Sequence, residues 1–589
     1  MAAHQNKLSR FWQELKRRRV IHVIAVYASA AFVIIELAGN LTEPLNLPAS
    51  LTTIVIIVLA IGFPLAIILS WLYDLTSGTF ERTKPMAEIP EEGKAGVPNA
   101  WRIVTYISFA VIAGLIVLNI ITRSDLIKPG MIQSMVVLPF DNYTGDEQLD
   151  YVAAGMHASL IGDMGKVGAL RVIGTTSSNV FKNTDKSAPD IAEELNVDLV
   201  LEPTLTCYGD TVCILVRAIA NFPEEKQIWV AEYREDKSKI LSLYNQVTKQ
   251  IADKVKIELT PQQERLLANA RAVNKHAYDH YLKGLYYWDQ FTPEALQLAL
   301  EYFNKAIEID PDWADPYAGV AYFWVALHQF SLAPPSVTIP NMYNSLNKAI
   351  ELDPNSGFVR YVNGLVSVWT GYEWEKGEHE FLQLLEINPN HALGHMYYAH
   401  LLSILREVDE ALYHCQVALD LDPLNPMIQS LSTLVLSNAG EYEESISMAE
   451  KVLALIPDQP VAIANLSGTY MITGEQRKSL EYWTQFTELD SKSRDNVLST
   501  FDQEGFDAAL HLFINYIEEA GNELLPMDFG QLYALAGNEV KAIYCYNKAL
   551  QERSPMLPYI TTVYHDGGPF KLYDAGFDSL LVKLNLPLD

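Results

Sequence analysis

Three rhythms of apolar and polar positions divide the chain. Residues 20–39, 51–73 and 103–121 are nearly unbroken apolar runs, each as long as the roughly 20 residues that a helix needs to cross a bilayer. From residue 134 the pattern shortens into β-branched runs between polar turns. It predicts strands at 134–140, 170–174, 198–206, 212–221 and 227–234, interleaved with helices at 149–166, 189–195 and 240–257. Beyond residue 270 the spacing is helical to the end. The expected architecture is multidomain: three N-terminal transmembrane helices within 1–128, a small α/β domain over 129–260, and an all-α solenoid over 270–589.

Within the helical region a single kind of ending returns. EIDP closes at Pro311, ELDP at Pro354, EINP at Pro389 and DLDP at Pro423, with a weaker echo, ALIPD, around Pro457. Each is an apolar helix end stopped by Asp/Asn-Pro, because proline lacks the donor N–H and disfavours the α conformation before it. The intervals between the prolines are 43, 35, 34 and 34 residues, and a period near 34 resembles the tetratricopeptide (TPR) repeat. With each proline at repeat position 32, the small, bulky, small positions of the second helix fall on Ala299, Phe303 and Ala306, on Met342, Leu346 and Ala349, and on Ala411, Cys415 and Ala418. The small residue expected in the first helix is Gly284, Gly364 or Ala399. The register slips over 494–526 and returns in GNEVKAIYCYNKAL at 537–550, giving about eight helix pairs and a capping segment near 569–586.

The N-terminal segment resembles a membrane module of Gram-negative bacterial proteins, on FWQELKRRRV at 11–20, GFP at 62–64 and WLYDLTSGTFERT at 71–83. That module implies anchoring and no chemistry. Lys7, Arg10, Lys16, Arg17, Arg18 and Arg19 precede the first apolar run, whereas 40–50 holds no Lys or Arg. The positive-inside rule then puts the N-terminus in the cytoplasm, and three crossings place the rest in the periplasm of an inner-membrane protein. Glu36 would reach headgroup water or mark a site; Pro64 would kink the second span.

The middle domain resembles the TolB-amino-terminal-like family, also seen in a flagellar group, on VVLPFDNYTGDEQLDYVAAGM at 136–156 and LRVIGTTSSNVFK at 170–182. Pro203 replaces a glycine of that pattern, which suggests an edge strand or a bulge. The pattern also favours a two-residue turn at Gly209–Asp210, which would put Cys207 and Cys213 on opposite faces as free thiols. A three-residue turn would instead make them cross-strand partners.

Charge narrows the partners. The net charge of −29 comes from beyond residue 128, where 63 acidic residues face 31 basic ones, a balance of −32 against +3 before it. That balance argues against nucleic acid, whose phosphates require cations. No phosphate-cradling glycine loop, HExxH or GxSxG occurs. His391, His395 and His400 do not share one helix face, so they do not form a metal site, and Thr175 to Ser178 read as capping or turn hydroxyls. No catalytic, cofactor-binding or metal residue is expected.

These readings combine into a non-enzymatic, inner-membrane-anchored periplasmic scaffold that binds a protein or peptide, with the bilayer as its other partner. The alternatives are a signalling protein, since similar modules accompany transcription activators and nucleotide cyclases, and an envelope enzyme. The TPR resemblance implies a concave wall made by the first helix of each pair. Its lining would be Tyr278, Tyr281, Trp288, Tyr322, Phe358, Tyr361, Trp369, Met396 and His400, and aromatics are the side chains that most often anchor partners.

Overall fold

The structure is a computed structural model. It describes residues 132–587 except 222–225, 269–270, 291, 488, 521–524 and 564–574, together with 50–76, 79–82 and parts of 12–35. The chain divides into two compact units, 1–126 and 127–589.

In the first unit, helix α1 (Ser50–Leu72) contains Pro64 and runs into a hairpin of β1 (Tyr73–Thr76) and β2 (Thr79–Arg82). The Tyr27 hydroxyl donates to the Leu59 carbonyl at 2.8 Å, and its ring lies 5.6 Å from that of Phe63. The expectation of transmembrane helices is corrected here: among the described residues no helix is long and apolar enough to cross a membrane. The run at 103–121, most of 20–39, the basic residues before Val20, and Glu36 lie outside the described residues. Inner-membrane anchoring and a periplasmic location therefore lose their basis.

The second unit opens with a mixed sheet ordered β5-β3-β6-β7-β8, with β4 also paired to β6. Its strands are β3 (Ser134–Val137), β4 (Asp141–Asn142), β5 (Arg171–Val172), β6 (Leu199–Tyr208), β7 (Thr211–Ala220) and β8 (Lys226–Asp236). β3 lies parallel to β5 and β6, while β6, β7 and β8 form an antiparallel meander. The helices are α2 (Asp150–Met164), α3 (Thr175–Asn179), α4 (Ala188–Glu194), α5 (Ile240–Lys254) and α6 (Pro261–Leu266). One sheet face buries Met135, Val137, Leu201 and Ile214 with Met156 and Leu160 of α2 and Leu243 and Val247 of α5. The other buries Val136 and Val200 against Ile191 of α4.

Two local expectations for this sheet change. Pro203 sits in an interior strand, opposite Val216 of β7, not at an edge. It falls between the β3 pairing, which ends at Leu201, and the β4 pairing, which starts at Thr204, so no ladder on that side asks for its missing N–H. The turn after β6 has three residues: Tyr208 faces Val212 and Cys207 faces Cys213, with an irregularity between Leu205 and Cys207. The two cysteines form a disulfide, with Cα atoms 4.8 Å apart, in place of the expected free thiols.

The rest is mostly helical, in antiparallel pairs of the TPR kind. The first four pairs are α7 (Lys275–Trp288) with α8 (Pro293–Ile309), α9 (Ala314–Gln329) with α10 (Pro335–Leu352), α11 (Gly357–Val366) with α12 (Trp374–Ile387), and α13 (Ala392–Ile404) with α14 (Val408–Leu421). Then come α15 (Pro426–Asn438) with α16 (Tyr442–Leu455), α17 (Pro460–Ile472) with α18 (Gln476–Phe486), α19 (Ser491–Glu504) with α20 (Phe506–Ala520), and α21 (Pro526–Leu535) with α22 (Glu539–Gln551). The spacing of small and bulky residues explains the pairing. A Cβ on Gly284 would lie 2.5 Å from the ring of Phe303, and one on Gly364 would lie 3.0 Å from that of Phe381. Gly530 stands in the same way against Tyr546. The last described helices are α23 (Ile560–Val563) and α24 (Ala575–Leu584).

The inter-repeat turns seat the sheet domain on the repeats. The Val172 N–H donates to Asn390 Oδ1 at 2.8 Å, Asn390 Nδ2 to the Gly165 carbonyl at 3.0 Å, and the Gly174 N–H to the Leu421 carbonyl at 2.7 Å. Arg271 reaches both carboxylate oxygens of Asp310 in the first such turn, at 2.7 and 2.9 Å.

Candidate functional site

The first helices of the repeats carry a connected line of aromatic rings. Ring centroids are 4.4 Å apart for Trp288 and Tyr322, 6.0 Å for Tyr322 and Phe358, 5.6 Å for Tyr322 and Tyr361, 6.1 Å for Tyr361 and Tyr397, and 5.2 Å for Tyr397 and Trp369. Rings recur here because helical spacing returns one face of each first helix to the same side of the stack.

Along this line the structure separates the nine expected lining residues. Tyr281, Trp288, Tyr322 and Phe358 are half-buried. Tyr278, Tyr361, Trp369, Met396 and His400 are at most 2% exposed, so none of these five presents an open surface. Tyr278 belongs to the sheet domain's core, where its hydroxyl lies 2.7 Å from that of Tyr244 and its ring stacks on Trp313. Tyr281 packs beside it, 4.7 Å from Trp313. Met396 is enclosed in the main repeat core.

Trp369 and His400 are covered for another reason: the chain's own C-terminal segment lies on them. After α22, residues 553–563 return to the second, third and fourth repeats. The Trp369 indole N–H donates to the Tyr559 hydroxyl at 3.0 Å. His400 Nε2 is 3.0 Å from the Leu431 carbonyl, which can only accept, so Nε2 carries the proton. Nδ1 is then left to accept from the Tyr559 hydroxyl at 3.0 Å. Burial keeps this imidazole neutral by pushing its pKa down to about 4. Tyr559 thus completes a line of donors and acceptors from one repeat to the next.

Other side chains hold the segment's backbone. Tyr372 donates to the Ser554 carbonyl at 2.8 Å, and His328 Nε2 lies 3.0 Å from the Arg553 carbonyl. Thr561 donates to the Ile404 carbonyl at 2.7 Å, while Leu557 and Ile560 are fully buried. In return Arg553 donates to the Gly371 carbonyl at 3.1 Å and sets its guanidinium over the Tyr372 ring. The third repeat is shaped for this contact. Its first helix widens into a π-turn over Ser367–Gly371 and ends with Tyr372 in the left-handed region at φ 57°. π-turns are frequent at functional sites, and this one directs Trp369 and Tyr372 to the same segment.

Sequence reasoning missed His328, Tyr372, Tyr397, Arg553 and Tyr559. The only local signal was Trp-Thr-Gly-Tyr at 369–372, a glycine and two large rings at a helix end. The three histidines of 391–400 have separate tasks: His391 accepts from the Gly394 N–H at 2.9 Å as a helix cap, His395 pairs with His414 through Nδ1 atoms 2.8 Å apart, and His400 meets Tyr559. Thr176 and Ser177 receive the fourth inter-repeat turn, with Asn425 Nδ2 donating to Thr176 Oγ1 at 3.0 Å and the Leu424 N–H to Ser177 Oγ at 2.8 Å. A cleft of about 630 Å³ lies where the sheet domain meets the repeats, lined in part by Arg171, Lys256, Asn390 and Asp420.

No family model matches the chain. Over 239 residues it is 27% identical to the "Putative adenylate cyclase 3" of Rhizobium meliloti (strain 1021), covering 40% of each chain. Over 143 residues it is 27% identical to the transcriptional regulator HilA of Salmonella typhimurium, covering 24% of this chain and 26% of that one. The chain thus spans well under half the length of both curated relatives. Among solved structures it is similar to TTC0263, a TPR protein of Thermus thermophilus, at 16% identity and a TM-score of 0.27 over 33% of this chain and 98% of that one. At that score the overlay carries no argument, and the repeat assignment rests on the helix pairing.

Proposed function

We propose that the chain is a helical-repeat scaffold that binds a protein or peptide partner and catalyses no reaction of its own. One observation carries this reading. The first helices of the second to fourth repeats hold a stretch of peptide, their own residues 553–563, through side-chain hydrogen bonds to its backbone and a paired site for a tyrosine hydroxyl. That is how a peptide is bound, by polar contacts that fix its path and a buried aromatic anchor. The half-buried rings of Trp288, Tyr322 and Phe358 continue the same line. The sheet domain, with its TolB-like motifs, is a platform that grips the inter-repeat turns and fixes the curvature of the stack.

Panning the purified chain against a random 12-residue peptide library tests the reading. It expects an enriched consensus containing an aromatic residue. Absence of any consensus after repeated rounds would overturn it.

A second reading, a relay within a signalling protein, draws on the likeness to the R. meliloti and Salmonella proteins. It differs in one respect that is simple to measure. If the chain itself makes cyclic AMP from ATP, the non-catalytic scaffold is excluded.

A further inference from the structure

Residues 554–563, Ser-Pro-Met-Leu-Pro-Tyr-Ile-Thr-Thr-Val, make no helix longer than the four residues of α23. Their regular structure is a single 3-10 turn at Leu557–Tyr559 followed by that short helix. Such a stretch gains little from its own backbone hydrogen bonds and depends on the surface beneath it. That surface is composed for it: Trp369 and Tyr372 from the third repeat and His400 from the fourth converge on this stretch, and His328 from the second holds Arg553 just before it, across separations of between 159 and 225 positions. The contacts fall into two kinds. His328 and Tyr372 hold backbone carbonyls and would accept many sequences. The Trp369 N–H and His400 Nδ1 together ask for one group that accepts and donates at a single oxygen, which a tyrosine hydroxyl supplies and a phenylalanine does not.

We propose that residues 554–563 are an internal ligand that occupies the peptide-binding wall and that a partner must displace. The partner is a peptide segment with a tyrosine in a turn preceded by Leu-Pro or a similar apolar pair, the chemistry the wall already holds. The proposal rests on the scaffold reading above and adds regulation to it: access to the third and fourth repeats is set by opening of this segment. Opening is favoured by its small extent, and opposed by burial of Leu557 and Ile560 and by the unpartnered Trp369 N–H and His400 Nδ1 that it would expose. A partner's tyrosine removes that opposition by taking the same place. The wall therefore selects for the group that replaces what it loses.

Two measurements on the full chain test this. In hydrogen exchange of the wild-type protein, the amides of 557 and 559–563 are expected to exchange at least 100-fold faster than the interior amides of α13. Exchange of both at one common rate would make the segment part of the indivisible core and overturn the proposal. In the second measurement, a fluorescent synthetic peptide of residues 554–563 is titrated into wild-type protein and into Tyr559→Ala. The variant is expected to bind at least tenfold more tightly than wild type, and a peptide with alanine at the tyrosine position is expected to lose that binding. A variant that keeps α13 protection yet binds no peptide would refute the internal-ligand account. If the variant loses α13 protection, the wild-type exchange result decides. A library consensus bound equally by wild type and Tyr559→Ala would leave the scaffold reading standing and refute only the gating.

Discussion

The Asp422 carboxylate accepts a hydrogen bond from the Ser177 backbone N–H at 2.7 Å, joining the fourth inter-repeat turn to the short helix α3 of the sheet domain. Its other oxygen receives Asn425 Nδ2 at 2.8 Å, and Asp422 is only 4% exposed. A buried carboxylate on free N–H groups is a strong, charge-assisted contact, and losing it leaves the Ser177 donor unsatisfied. Asp422→Ala is expected to lower stability by about 1–3 kcal/mol and to make α3 (Thr175–Asn179) more susceptible to limited proteolysis. An unchanged urea midpoint and cleavage pattern would show that the two domains do not depend on this contact.

Cys207 and Cys213 are joined, and Cys415 and Cys545 are free. Alkylation of the unfolded, unreduced protein should therefore modify two cysteines, and four after reduction, when counted by intact mass. Four without reduction would restore the two-residue turn and its free thiols.

Gly284 has no room for a methyl group beside Phe303. Gly284→Ala should cost about 1–3 kcal/mol through overpacking, whereas Gly468→Ala, with no neighbour within 4 Å of the new carbon, should be neutral or slightly stabilising because alanine suits a helix better. Equal effects in chemical denaturation would contradict the assigned repeat register.

Burial pushes His157, His395 and His400 down to about 4. Each is neutral when folded and protonated when unfolded below about pH 6.5, so the unfolded state binds more protons between about pH 6.5 and pH 4. Their contribution to stability is lost as pH falls through that window. Asp163 and Asp315, raised by burial, act in the opposite sense, so a difference in slope is the informative quantity. His157→Gln should flatten the pH dependence of unfolding between pH 6 and pH 4.5 by up to about 1.4 kcal/mol per pH unit. An unaltered slope would mean that His157 titrates normally in the fold.

What could be read from the sequence was what neighbouring residues encode. The 34-residue return of Asp/Asn-Pro and the small and bulky positions of Gly284 and Phe303 are set within one repeat, where spacing alone brings them together. The strands from 134 to 236 showed in their β-branched runs for the same reason. Ser177 with Asp422 and Trp369 with Tyr559 are 245 and 190 residues apart, and nothing in either local pattern points to its partner. Thr175 to Ser178 did look like capping residues, and they do meet a turn, but one that belongs to another domain. The aromatic positions were legible by register, whereas their exposure was not, because the segment that covers Trp369 and His400 comes from beyond the last repeat. At Cys207 one extra turn residue changed the strand register and so the cysteine pairing. At the N-terminus apolar runs, preceding basic residues and a family resemblance implied a membrane, whereas among the described residues no helix is long and apolar enough to cross one.

The central claim is that the ring-lined wall of the repeats binds peptide. The most direct measurement is the affinity of a library-selected peptide for wild type, for Tyr322→Ala on the wall, and for Val540→Ala, a residue 82% exposed on the second helix of the last repeat. The account predicts at least a tenfold loss for Tyr322→Ala, about 1.4 kcal/mol, with the α13 amides still protected from exchange, and no change for Val540→Ala. Equal affinity for all three proteins would contradict it.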